Sequence, residues 1–597
     1  MTTALLSRRL LDVLLHDWLA SGDLCSRPAF QEHTRETFDA VLDTAEQIAV
    51  RHLAPHYQAS DRDEPRLVGD TVHVHPAIKP ALTAMAEAGF FSALHGEAHG
   101  GAGLPFSIER SAFALFSAAN IATTAYAWLT IANANCLMAH GSPEQVAAYG
   151  PHLLSGRCLG TMCLSEPQAG SSLGDILTRA VPDGEGRWRL FGSKMWISGG
   201  DHDISDNIIH LVLARIEGAP PGPKGISLFI VPKWLGGADG ARGPRNDVTV
   251  AGLNHKMGYR GVSNCLLAFG EGRHAPLGAA GAVAELVGAQ NAGLAQMFHM
   301  MNEARITVGL GAAALACRGY LASLAYAHER PQGRPVSAKT PSSAPVPIIR
   351  HADVRHMLLS QKAFAEGGLA LCLYAARLVD DRNTAATAEA RAEAHLLLEL
   401  LTPVVKSWPS SYGLAANDLA IQVLGGYGYT RDFPLEQIYR DNRLNPIHEG
   451  THGIQGIDLL GRKVAMAEGR ALALYAARVR RTLTELGGHS DWIDAGRQVG
   501  ARLDELLSVT HRLSGTVDPE RRLANASLYL DAFGHLTVAW LWLDLMRAIE
   551  GRVGELFDGL RLTCRYFLEA EMGGLGARLE RLARNEAMAL EMKDAWF

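Results

Sequence analysis

Glu449 lies in the stretch RDNRLNPIHEGTHGIQGIDLLGRK (440–463), between a proline and a residue suited to starting a helix. Pro446 makes the residue before it extended, so a helix holding Gln437, Tyr439 and Arg440 should end near Arg443. The hydroxyl of Thr451 suits an N-cap, and Ile454, Ile457, Leu459 and Leu460 lie on or beside one apolar stripe of the helix that follows. Glu449 and Gly450 then occupy a tight turn just ahead of a helix N-terminus. Such a turn can aim a carboxylate into a cavity, while free N–H groups of the helix face an anion such as a phosphate. The competing reading is an exposed glutamate in an ordinary loop, and segments upstream decide against it.

The first of these is TMCLSEPQAGSSLGD (161–175), a strand end followed by a sharp Pro-Gln-Ala-Gly turn and the hydroxyls of Ser171 and Ser172. Backbone N–H groups and small side chains in such a turn can approach a flat ring or a pyrophosphate. The second is KMWISGG (194–200), a strand end carrying Trp196 ahead of two glycines. Trp196 reads equally well as core or as a ring contact.

The elements that must position these residues change character along the chain. Residues 1 to about 158 read as helices, with a Gly-rich loop, HGEAHGGAGLP (95–105), that turns sharply. Strand-like runs follow at Cys158–Leu164, Trp188–Ser198, Ile208–Ile216, Gly225–Pro232 and Cys265–Phe269, bounded by turn signals. They predict a small antiparallel β domain. From about Glu285 helical patterns return, over Met297–Arg330, Asp353–Val379, Ala390–Trp408 and Gly413–Leu424, and the chain after Ala465 is helical again. The fold class expected is mainly α with a β insert. Its domains are an N-terminal helical one (1–157), a middle β domain (158–280), a helical bundle (281–465) and an extra C-terminal helical domain (466–597).

At 597 residues the chain is too long for a single core. Hydrophobic residues at 48% and charged residues at 20% are ordinary for a globular protein, and a net charge of −6 gives no general attraction to nucleic acid or anionic membrane. No uninterrupted apolar run reaches a membrane span, and Asp12, His16 and Asp17 interrupt the apolar N-terminus, which reads as an amphipathic helix. Eight cysteines without a C-x-x-C pair suit reduced thiols in a cytoplasm, with no metal site expected.

SEPQAGSS, KMWISGG, GISLFIVPK, HKMG, the Arg330 region AHERPQGR, QVLGGYGY and HEGTHGIQ occur in the order and approximate spacing of the acyl-CoA dehydrogenases. The resemblance covers roughly residues 40–465. TMCLSEPQAGS, GDHDISDNIIHLVLAR, RNDVTVAGLNHKMG, LLTPVVKSWPS and GIDLLGRK resemble the 3-methylmercaptopropionyl-CoA dehydrogenase group, whose members carry an extra C-terminal helical domain. The resemblance implies an antiparallel β-barrel as the middle domain and FAD lying between it and the bundle.

On that resemblance Met162, Leu164, Ser165, Gly170 and Ser171 wrap the flavin together with Trp196, Ile197 and Ser198. Arg330 and the turn of Gln422, Gly425 and Gly426 resemble the parts that reach the dinucleotide across a dimer interface; Thr451 and Gly453 resemble the residues near the adenosine half. Ser171, Asn302, Arg305 and Gly450 resemble acyl-CoA contacts, and Glu449 matches the catalytic base. The family's other position for a base, immediately before an Arg on the earlier helix, is Ala304 here, with Glu303 one residue earlier.

The activity implied is α,β-dehydrogenation of a short or medium acyl-CoA, 3-methylmercaptopropionyl-CoA among the candidates, in fatty-acid metabolism. An electron-transfer flavoprotein is the implied acceptor, and a cytoplasmic homodimer the implied form. Some positions depart from the family's usual residues: His448 stands where a Tyr is common, Ser172 where an Asp is common, and Gly453 where many relatives are polar. Two alternatives share the fold. One is an oxidase passing electrons to oxygen; its nitroalkane-oxidising branch uses an Asp base, against which Glu449 argues. The other is a flavin protein that binds nucleic acid through a basic C-terminal domain. Residues 465–597 here carry 17 basic and 19 acidic side chains, which offers no such surface.

Overall fold

The computed structural model describes residues 5–236, 242–338, 343–486 and 490–597, with the backbone alone for 298–302 and 490. The chain divides into two units, one of residues 40–104 and 115–304 and another of 1–39, 105–114 and 305–597.

The first unit is built on an eight-stranded sheet. From neighbour to neighbour its strands are Val248–Leu253, Asn264–Phe269, Arg187–Ser198, Ala282–Val287, Ile226–Pro232, Asn207–Ile216 and Cys158–Cys163. The eighth, Arg179–Pro182, pairs with both Arg187–Ser198 and Asn207–Ile216, which closes five strands into a small barrel. Most pairs are antiparallel, but Asn207–Ile216 runs parallel to Cys158–Cys163 and to Arg179–Pro182, which corrects the expectation of a wholly antiparallel domain. Residues 164–206, which join the first parallel pair, carry other strands and are long enough for the crossover that parallel pairing needs.

Strand Asn207–Ile216 is buried on both faces. Ile209, Leu211 and Leu213 enter one core and Val212, Ala214 and Ile216 the other, so it reads as a continuous apolar run rather than an alternation. Two of the strands that the sequence pattern does not announce carry breakers: Arg179–Pro182 is short and ends in proline, and Val248–Leu253 has a register shift between Val250 and Gly252. Helix Pro143–Leu154 begins with Ser142 and Gln145 in a reciprocal capping box and Pro143 in its first turn. Asn133, on the helix Phe106–His140, donates to the carbonyls of Thr161 (2.9 Å) and Ile209 (2.8 Å), tying that helix to the parallel strand pair.

Among the described residues two helical segments, Phe106–His140 and Glu303–Glu329, are by length and composition apolar enough to cross a membrane, contrary to the expectation from uninterrupted runs. Both are core helices, with 89% and 67% of their most apolar windows buried.

In the second unit the helices Ala352–Thr384 and Ala388–Leu424 pack along each other, joined by Leu435–Asn442 and His452–Gly461. Ala388–Leu424 is one helix, where the sequence pattern gives two runs, Ala390–Trp408 and Gly413–Leu424, and Pro409 lies in the stretch between them. Pro409 has no N–H to offer the carbonyl of Val405. That carbonyl instead faces Gly309, where an added Cβ would lie 2.0 Å from it, so close helix packing takes over where the intrahelical bond is lost.

The last five major helices include Ala526–Ala548, which is apolar almost all round and buried accordingly. Glycines let it approach the bundle. A Cβ on Gly456 would fall 2.6 Å from the carbonyl of Ala526, and one on Gly534 would fall 2.7 Å from the Trp408 ring. Near the N-terminus, Trp18 donates from Nε1 to Asp544 (2.8 Å) and Arg27 pairs with Asp381 (2.7 Å).

Candidate active site

The turn that carries Glu449 follows from local signals. Helix Leu435–Asn442 stops short of Pro446, and Thr451 caps helix His452–Gly461 by accepting from the Ile454 N–H. Glu449 (φ 54°) and Gly450 (φ 86°) both take left-handed backbone, which a glutamate adopts only when its surroundings hold it there. Ile457 is 46% exposed, so the buried side of the helix is Leu459 and Leu460 with Gln455 and Gly456 rather than the full apolar stripe expected.

Two buried side chains grip the turn. Gln455 donates from Nε2 to the carbonyl of Glu449 (3.1 Å), and Lys406 donates from Nζ to the carbonyl of Gly450 (2.7 Å). A third support is a run of asparagines. Asn417 bonds the Leu315 carbonyl (3.0 Å), Asn442 donates to Asn417 (2.7 Å), Asn445 donates to Asn442 (2.9 Å), and His448 bonds Asn445 (3.1 Å). All three asparagines are buried and joined to one another, the condition under which polar groups in a core are stable.

Charge around Glu449 is arranged to contest its protonation. Burial raises its carboxyl above the ordinary range, while Arg305 and Lys406 pull it down; the net shift is upward. Burial pushes Lys406 down to about 7. His448 is pushed down to about 3 by burial and then by Lys406, so it is neutral. Arg305 is 5% exposed and pairs with Asp458 at 3.5 Å. It therefore sits among the groups that set the charge state of Glu449, beyond the acyl-CoA contact expected of it. A carboxylate with a raised pKa, held in a fixed turn, has the properties that general-base chemistry requires.

Asn302 lies outside the described side chains. Glu303 is half-buried and accepts a long hydrogen bond (3.5 Å) from Asn135. Gly453 faces open space apart from Ser527 Oγ, 3.9 Å from where its Cβ would be. Arg330 is exposed with its guanidinium over the ring of Tyr427 (5.5 Å), which brings it beside the exposed turn of Gln422, Gly425 and Gly426. Gly425 has φ 58° and ψ −135°, a conformation open to glycine.

In the β unit, Ser165 and Met195 join the two motif loops through a backbone hydrogen bond (Met195 N–H to Ser165 carbonyl, 3.0 Å). Beneath them Lys194, fully buried, donates to the Leu164 carbonyl (3.0 Å) and to Glu166 (2.8 Å). Glu166 also accepts from the N–H groups of Leu177 (2.7 Å) and Thr178 (3.0 Å). Burial would raise its carboxyl, but Lys194 and these donors prevail and bring it down to about 2. This ion pair ties the two ends of the 164–178 loop together.

Above it Trp196 is 60% exposed and has φ 65°, and Ser198 accepts from Asn264 (3.1 Å). An exposed aromatic ring held in left-handed backbone beside hydroxyls fits a flat ring system such as a flavin. Met162, Leu164, Ser165 and Ser198 are half-buried, and Gly170 and Ser171 are exposed, so all six are accessible to a ligand. Ile197 differs: its side chain is buried in the sheet core, so only its backbone faces the loops. Among the described residues no group of three or more His, Cys, Asp or Glu side chains is arranged to hold a metal ion.

Sequence reasoning missed Lys406, Gln455 and the asparagine run. A lysine inside the apolar run LLTPVVKSW was the one signal available for Lys406.

Comparison with known families matches residues 35–157, 161–271 and 291–464 to the N-terminal, middle and C-terminal domains of acyl-CoA dehydrogenase. Residues 467–593 match a domain described as acetyl-CoA dehydrogenase C-terminal like. The 3-methylmercaptopropionyl-CoA dehydrogenase of Ruegeria pomeroyi is 37% identical over 491 residues, covering 82% of this chain and 81% of that protein. The broad-specificity linear acyl-CoA dehydrogenase of Mycobacterium tuberculosis is 37% identical over 563 residues, 91% of this chain and 89% of its own. Among solved structures, the acyl-CoA dehydrogenase of Bacillus anthracis complexed with FAD shares the fold. Its TM-score is 0.76 at 21% identity, over 98% of this chain and 93% of that one. The chain belongs to the acyl-CoA dehydrogenase family, and like that family it is an FAD-dependent oxidoreductase.

Proposed function

We propose that this enzyme forms the 2,3-double bond of a linear short or medium acyl-CoA, with Glu449 removing the α-proton. The observation that carries this reading is the Glu449 turn itself. It presents a carboxylate of raised pKa in strained backbone, fixed at both neighbouring carbonyls and backed by a cationic pair. A free carboxylate is too weak a base for an α-proton, so the developing enolate must be stabilised as the proton leaves. The N–H of Glu449 is the donor that the family reading assigns to the thioester oxygen. FAD, when bound, supplies the hydride acceptor for the β-hydrogen. Trp196 and the hydroxyls of Ser165 and Ser198 would hold its ring, and the Lys194–Glu166 pair keeps their loop in shape.

Support for the substrate class is the pair of relatives at 37% identity, one named for 3-methylmercaptopropionyl-CoA and one for broad linear specificity. The proposal extends to an electron-transfer flavoprotein as acceptor. It also extends to a cytoplasmic homodimer, supported by eight free cysteines and by the exposed Arg330–Tyr427 surface. Turnover of purified enzyme against acyl-CoAs of graded length and branching, 3-methylmercaptopropionyl-CoA included, tests the substrate. A preference for branched over linear chains would overturn it. Sedimentation tests the dimer, which a monomer holding FAD normally would refute.

A further inference from the structure

Among the described residues Lys406 has no counter-carboxylate at hydrogen-bond distance; its ammonium donates to the carbonyl of Gly450, 2.7 Å away. The side chain is buried in the middle of helix Ala388–Leu424, a position where an ammonium is costly to desolvate. An apolar residue of the same length would fill the space at lower cost, so the charge calls for an account.

Gln455 holds the carbonyl of the Glu449–Gly450 peptide and Lys406 that of the next one, Gly450–Thr451, so two successive peptide units of the turn are fixed. Charged and titratable groups reach this point from every packed element. Arg305 comes from helix Gly293–Glu329, and it is in turn faced by Asp458, Arg462 and Glu399. His448 in the turn is neutral. His452 opens the following helix and is itself influenced by Asp531 on helix Ala526–Ala548 and by Lys406. Of these, Lys406 and Arg305 are the cations that act on Glu449.

We propose that Lys406 is a positioning residue for the base: its bond to the Gly450 carbonyl fixes the turn, and its charge holds Glu449 in the carboxylate form. The inference rests on Glu449 being the base. Burial pulls Lys406 down to about 7 and pushes Glu449 up, while each charge favours the charged form of the other. Neutralising Lys406 therefore raises the pH at which Glu449 gives up its proton.

The test uses holoenzyme carrying Lys406→Met, Lys406→Gln or Lys406→Arg. One readout is the pH-difference infrared band of the Glu449 carboxyl, identified by its loss in Glu449→Gln, which needs no turnover. The other is kcat/KM against pH. In Lys406→Met the carboxyl midpoint and the acid limb both move up by about one unit or more, slowing kcat/KM about tenfold on the acid side. Lys406→Arg returns both towards the parent. Lys406→Gln, a neutral donor, must show the same upward shift, which keeps the test available if Lys406→Met fails to fold.

A midpoint unmoved in either neutral variant overturns the inference even if rates fall, because a purely structural loss slows the reaction alike at every pH. A Glu449→Gln variant that still reduces its flavin with substrate would instead sink the assignment of the base.

Discussion

Lys194 and Glu166 form an ion pair 2.8 Å long with side chains 0% and 3% exposed, directly beneath the loop that carries Ser165 and Ser171. Glu166→Gln leaves the ammonium buried without its partner, at a cost of about 3–5 kcal/mol. The expected result is a lower melting temperature and loss of FAD on gel filtration, read from the flavin absorbance. The pH dependence follows from the folded carboxyl lying at about 2, below its ordinary 4.5. Its stabilisation is present above the unfolded value and is lost as pH falls from about 4.5 towards 2. The parent should lose melting temperature across that window more steeply than Glu166→Gln.

Glu449→Gln should keep the fold and the FAD while turnover falls by several orders of magnitude, measured as the rate of flavin reduction on mixing with substrate. Glu303→Gln should mainly alter KM. Rapid reduction in Glu449→Gln, with slow reduction in Glu303→Gln, would reverse the assignment.

The same substitution has a stability signature. A carboxyl raised in the folded state contributes stability below its unfolded pKa and loses it as pH rises through the folded one. At neutral pH the parent bears the cost of a buried carboxylate that Glu449→Gln does not. Glu449→Gln should therefore melt higher than the parent at pH 7, and the gap should narrow at pH 4.

Gly450→Ala brings a Cβ to 2.4 Å from Gln455 Nε2 at a φ of 86°. Left-handed backbone costs a non-glycine residue about 1–2 kcal/mol, and the clash adds to it. Turnover should fall more than tenfold with a loss of melting temperature. Adding Gln455→Ala should recover stability without recovering turnover, since the Glu449 carbonyl then loses its donor.

Gly534→Ala drives a methyl group to within 2.7 Å of the Trp408 ring, which is fully enclosed. Overpacking of this kind costs about 1–3 kcal/mol. Trp408 shares a helix with Lys406, so kcat should drop along with the melting temperature although the substitution lies in the C-terminal helices. A stability loss with unchanged kcat would show that the two regions act independently.

Local signals made the Glu449 turn legible from sequence: Pro446 ends one helix, Thr451 starts the next, and the residues between have little choice of backbone. The strands read best where burial on both faces left an apolar run, as in Asn207–Ile216, and worst where proline or a bulge broke it, as in Arg179–Pro182. The parallel pairing was not legible, because which strands become neighbours is decided by crossovers rather than by any one strand. Lys406 lies 44 residues from Gly450, and no periodicity announces that a lysine in one helix will meet a carbonyl in a distant turn. The runs Ala390–Trp408 and Gly413–Leu424 join into one helix for a related reason, since the local cost of Pro409 is met by packing against Gly309.

The close approach of Gly456 to the Ala526 carbonyl bears on the order of biosynthesis. Helix His452–Gly461 follows directly on the Glu449 turn, and the surface it rests on belongs to a part of the chain made later. While the ribosome is still short of residue 526, the helix can rest on Ala388–Leu424 but lacks Ala526–Ala548 on its other side, even though every residue of the turn has been translated. Domains generally fold from the N-terminus as they emerge, and the β unit can do so early. The Glu449 turn, by contrast, gains its full support only once Ala526–Ala548 has been made, so a nascent chain stalled before that helix would carry the turn with one of its two flanks open.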